Sequence, residues 1–119
     1  MKHLIFACLT ALCPLPAMAD DPQVVDVELQ NRGQAWTVHV TLAHPDTGWD
    51  HYADGWEVRD EAGNSLGLRV LHHPHVEEQP FTRSLSGVEI PDDTRAVFIV
   101  PRCSVDGWAK TATRVDVPR

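Results

Sequence analysis

The stretch "VDVELQNRGQAWTVHVTL", Val25–Leu42, decides how the chain folds. Val25, Val27 and Leu29 alternate with Asp26, Glu28 and Gln30, the period of a half-buried β-strand. Asn31-Arg32-Gly33 then supplies a tight turn. Trp36, Val38, Val40 and Leu42 resume the alternation, with Thr37, His39 and Thr41 on the opposite face. Two antiparallel strands with one apolar face each predict a hairpin that must bury that face against a second layer.

The rest of the chain repeats the pattern. Trp56–Arg59 is read as a strand, Glu61-Ala62-Gly63-Asn64 as a turn and Leu66–Leu71 as the returning strand. A strand lies within Phe81–Ile90, Pro91-Asp92-Asp93 is a turn, and Ala96–Cys103 is an apolar strand expected near the middle of a sheet. Thr111–Val117 is the last strand, ended by Pro118. Seven short strands without a helical period predict an all-β fold: an antiparallel β-sandwich of the immunoglobulin or fibronectin type. The Cys-Trp-Cys spacing of antibody domains is missing.

Ahead of this domain, Lys2 and His3, the apolar run Leu4–Leu12 and the small-residue site Ala17-Met18-Ala19 read as a secretory signal over 1–19, cleaved near Ala19. Cys13 follows Leu12 instead of a small residue, and Cys8 comes too early to leave an apolar run ahead of it. Cleavage and release are therefore expected over lipid attachment. Residues 20–119 then form one domain in the periplasm or outside the cell, with no later segment long and apolar enough to cross a membrane. Cys103 is left as a lone thiol, so no internal disulfide is expected there, and a buried inert thiol is its commonest fate. The formal net charge of −7 disfavours nucleic acid and anionic lipid and suits a metal cation or a periplasmic protein partner.

With successive strands running up and down, the loops after the second, fourth and sixth share one end of the sandwich. These are Ala43–Gly55, His72–Pro80 and Ser104–Lys110. Together they gather His44, His51, His72, His73 and His75 near Cys103, whereas the turns at the other end hold neither His nor aromatic residues. Function concentrates where a rigid scaffold presents its loops.

His73-Pro74-His75 is an i, i+2 pair, and in extended backbone that spacing turns both imidazoles to one face. His44 and His51 flank a turn that could bring them together, with Asp46, Asp50 and Asp54 as carboxylates able to orient imidazole rings. The leading expectation is a transition-metal site, copper or zinc before iron, built from His73, His75, His51 and His44 with His72 and Cys103 as further donors. Against it stands the reading that loop histidines bond locally and that Asp, Thr and Trp merely cap turns and fill the core. The alternative function is a protein- or ligand-interaction module whose surface is Trp49, Asp50, Tyr52, Asp54, Arg83 and Trp108. Arg83 is expected to pair with Asp50, Asp54 or Glu77 and brace this end of the domain. No catalytic residue is assigned: Ser84, Ser86 and Ser104 sit in no nucleophile motif, and no phosphate loop or dinucleotide fingerprint occurs.

Two resemblances add to this reading. His44-Pro45, His51-Tyr52 with Trp56, and Cys103 followed by Gly107-Trp108 resemble the iron-site pattern of superoxide reductases, small β-sandwich proteins that hold one iron with four His and one Cys. That resemblance implies a redox site. The family has a further His at the third position after the cysteine, where this chain has Asp106, and the family's early Glu-Lys-His segment is missing. The stretches "DTGWDHYADGWEV", "LGLRVLHHPHVEEQPFTRSL" and "GVEIP" resemble a family of small exported proteins of Gram-negative bacteria. This implies export and a compact domain, and it carries over no catalytic residue.

Overall fold

The computed structural model describes residues 21–119. The segment read as a secretory signal, with Cys8 and Cys13, lies outside the described residues. Two antiparallel sheets face each other. The first has the order β1 (Gln23–Asn31), β2 (Trp36–Ala43), β5 (Phe81–Val88). The second runs β4 (Ser65–Val70), β3 (Ala53–Arg59), β6 (Ala96–Cys103). The far edge of β6 is shared by two short strands: β8 (Thr113–Asp116) pairs with Ala96–Ile99, and β7 (Gly107–Trp108) pairs with Arg102 and Cys103. The fold is the all-β sandwich that the alternation predicts.

The core forms where the inward faces meet. Trp36, Val38, Val40 and Leu42 of β2 pack with Trp56 and Val58 of β3 and with Val97 and Ile99 of β6, all nearly inaccessible to solvent. Burying such side chains is worth about 1.5–3 kcal/mol each before chain entropy is set against it. The outward face of β2 is polar and laddered. His39 Nδ1 lies 2.5 Å from Ser84 Oγ, and Thr41 Oγ1 lies 2.7 Å from Thr82 Oγ1, each across a directly opposed pair of β2 and β5.

Beyond shifts of one or two residues at the ends of β4 and β8, three features differ from the sequence expectation, each for a local reason. A register shift between Val24 and Asp26 turns Val25 outward, so it is 57% exposed while Val24 packs on the core. A bulge of this kind moves a side chain across the sheet. β3 starts at Ala53 instead of Trp56, because Ala53 lies opposite Cys103 on β6. Finally, the expected Ser104–Lys110 loop contains β7, giving eight strands; Gly107, at φ 75°, turns the chain back beside β6.

The three loops expected at one end do meet. The backbone N–H of Ser104 donates to Tyr52 O at 2.9 Å, and that of Tyr52 to Ser104 Oγ at 3.1 Å. His75 N donates to Asp46 Oδ2 at 2.8 Å, and His44 N to Gln79 Oε1 at 3.0 Å.

Candidate metal centre

His44 is the first residue after β2, and Cys103 is the last of β6. The chain between β2 and β3 doubles back: Thr47 N donates to His51 O at 3.0 Å and His51 N to Gly48 O at 3.2 Å. Gly48 makes that reversal possible, since its φ of 139° is rarely adopted by an L side chain. The hairpin returns His51 against His44, with ring centroids 4.9 Å apart in an edge-on arrangement. It also delivers the chain to Ala53, the residue opposite Cys103. Two strand ends and one reversal thus converge three donors.

One ligand atom from each of His44, His51 and Cys103 lies within 4.8 Å of the others. Metal–nitrogen bonds of about 2.0–2.1 Å and metal–sulfur bonds of about 2.3 Å put tetrahedral donors about 3.5 Å apart, so closing on an ion requires movements of about 1 Å. His44 and Cys103 are buried and His51 is half-buried. The buried Nε2 atoms of both histidines have no hydrogen-bond partner. Such atoms cost free energy unless something satisfies them, and a metal ion does so.

The Nε2 of His44 is free for a reason that lies in Asp46. Nδ1 of His44 stands 2.5 Å from Asp46 Oδ1, and both side chains are inaccessible. Donation from Nδ1–H to the carboxylate leaves a lone pair on Nε2, the arrangement that metal-ligating histidines use. Asp46 is itself fixed by Ala53 N at 2.9 Å and by His75 N at 2.8 Å. The thiol of Cys103 accepts the backbone N–H of Asp106 at 3.3 Å and lies 3.6 Å from Asp106 Oδ2.

The other expected donors stand elsewhere. His72 and His73 are exposed, and His73 Nδ1 donates to Pro74 O at 3.1 Å. The rings of His73 and His75 do approach, with centroids 4.6 Å apart, but among the described residues they form no three-donor group with another His, Cys, Asp or Glu. His75 is buried, stacked on Phe81 at 3.9 Å, and its Nε2 accepts Arg83 Nη2 at 3.0 Å. Burial first, and then the Arg83 cation, hold its pKa below the ordinary histidine value. The i, i+2 spacing brings the two rings side by side and leaves them outside the cluster.

The expected binding surface separates in a similar way. Trp49 is 68% exposed and packs edge-on with Tyr52, ring centroids 5.6 Å apart, and Asp50 beside it is exposed. Asp54 pairs with Arg102 at 2.9 Å. Trp108 lies under the guanidinium carbons of Arg59, at 5.0 Å, and Arg102, at 5.1 Å. Arg83 of β5 pairs with Glu78, five residues earlier near the end of the preceding loop, at 3.0 Å, not with Asp50, Asp54 or Glu77. Sequence reasoning passed over Gln79, whose side chain receives His44 N and donates to His75 O, linking two of the loops. An amide in a loop carries no sequence signal of such a bridge.

The chain is similar to a protein of Halomicrobium mukohataei named "Putative lipoprotein". The two are 42% identical over 97 residues, which make up 81% of this chain and 47% of that protein. The chain therefore spans about half the length of the curated relative it matches. No family model matches, and no solved structure matches.

Proposed function

We propose that the protein is exported and binds one transition-metal ion through His44, His51 and Cys103. The observation that carries this reading is the convergence of three soft and borderline donors within 4.8 Å, two of them histidines with buried, unpartnered Nε2 atoms. Buried imidazole nitrogens beside a buried thiol suit zinc or copper, and the carboxylate behind His44 sets the tautomer that ligation needs. The name of the Halomicrobium relative supports export. The loop histidines His72, His73 and His75 are assigned no ligand role, and the centre moves to the strand ends.

A redox site with iron is the second reading. It is favoured by one coincidence: His44, His51 and Cys103, the ligand-type residues that carry the superoxide reductase resemblance, are the residues that cluster. In either case the chain's own residues hold the ion, orient the imidazoles and screen the thiol from solvent.

Metal analysis of the purified protein after exposure to zinc, copper or iron tests the reading, with Cys103→Ser and His44→Ala as controls. One equivalent per chain, lost in both variants, is the expected result. Equal metal content in wild type and both variants would overturn it.

A further inference from the structure

We infer that Asp106 supplies the fourth ligand of this centre and thereby selects a divalent ion over Cu(I); the inference rests on the reading of His44, His51 and Cys103 as a metal site. Asp106 is held to the thiol twice. Its backbone N–H donates to Sγ at 3.3 Å, and its Oδ2 lies 3.6 Å from the same sulfur. The turn that does this is pinned at both ends: Ser104 bonds Tyr52, and Gly107 pairs with Cys103 as β7 begins. The turn thus keeps the carboxylate beside the Cys103 thiol; it lies outside the three-donor group of His44, His51 and Cys103, so ligation requires it to swing toward the ion.

The other nearby carboxylate cannot take this place. Asp46 spends Oδ1 on His44 and Ala53 and Oδ2 on His75. Among the described residues the Asp106 carboxylate has the thiol as its hydrogen-bond partner, and Asp106 is exposed. It is thus an exposed carboxylate held to a buried thiol.

Charge gives the argument its direction. A divalent ion held by one thiolate and two neutral imidazoles keeps one positive charge, and a carboxylate cancels it. A thiolate and a carboxylate this close repel each other unless a cation stands between them. With Asp106 the donor set becomes two nitrogens, one sulfur and one oxygen, the four-coordinate set of a borderline divalent ion. Cu(I), which prefers soft thiolate and thioether donors, gains little from the oxygen.

Titration of the full chain with Co(II), read by absorption, tests this, because thiolate ligation gives a charge-transfer band and the ligand-field bands report coordination. Asp106→Asn keeps the backbone N–H on sulfur and removes the anionic oxygen. This variant is expected to retain the charge-transfer band, to bind Co(II) at least about tenfold more weakly and to shift the ligand-field bands, while its Cu(I) affinity in chelator competition stays near wild type. Asp106→Ala should behave alike. Wild-type Co(II) affinity and ligand-field bands in Asp106→Asn would overturn the inference while leaving the three-donor site standing. A wild-type protein that shows no thiolate charge-transfer band would overturn the metal site itself, and the inference with it.

Discussion

Asp46 holds His44 through one carboxylate oxygen and the backbone of His75 through the other, at 2.5 Å and 2.8 Å. A single buried side chain thus sets the tautomer of one candidate ligand and anchors the loop that covers it. Asp46→Asn keeps the shape and replaces an anionic acceptor with an amide. Metal affinity should fall by about 10- to 100-fold, as for other carboxylates that orient metal-bound histidines. Competition against a chelator of known affinity measures it.

His73 and His72 provide the opposite case. Both are exposed, and His73 is engaged with Pro74 O. The double substitution His72→Ala, His73→Ala should leave zinc affinity within about twofold of wild type, the scatter expected of surface changes. A loss comparable with that of Cys103→Ser, measured in the same titration, would return the site to the loop.

His75 predicts how stability depends on pH. Its pKa is lowered, chiefly by burial and next by Arg83, whereas in the unfolded chain it titrates at the ordinary histidine value of about 6.5. As pH falls through that value, the unfolded state takes up a proton that the folded state refuses, so stability falls; above it the contribution is absent. Thermal unfolding followed from about pH 7.5 to about pH 5.5 should therefore show a falling midpoint. His75→Gln, which removes the titrating ring, should flatten the slope. An equal slope in the variant would mean that other groups carry the acid sensitivity.

Leu42 lies fully buried at the end of β2, one residue from the strand's last position and two before His44. Leu42→Ala should cost about 2–5 kcal/mol of unfolding free energy, through lost burial and a residual cavity. Urea denaturation of the metal-free protein checks this without involving the ligands.

The alternation over Val25–Leu42 made the sandwich legible, because a period of two puts alternate side chains on opposite faces whatever the partner strand turns out to be. Val25 shows the limit. Its apolar character follows the pattern, yet a bulge set by pairing with β2 turns it to solvent. The shared loop end was legible for the same topological reason, and His44, His51 and Cys103 do lie together there.

Which donors meet within that neighbourhood was not legible. His73 and His75 have the more conspicuous spacing, but spacing along the chain orients two rings relative to each other and says nothing about a third group. The orientation of Cys103 depends on the register of β6, and one residue of slip would have turned its thiol outward. The sequence by itself determined seven of the eight strands, the two-layer fold and the end of the domain where the histidines and Cys103 gather, since these follow from local period and connectivity. Only the tertiary structure decided that His44, His51 and Cys103 form the cluster, with Asp46 behind it and Asp106 beside it. Those contacts join residues up to 59 positions apart along the chain, His44 and Cys103, and only strand register and loop closure bring such residues together.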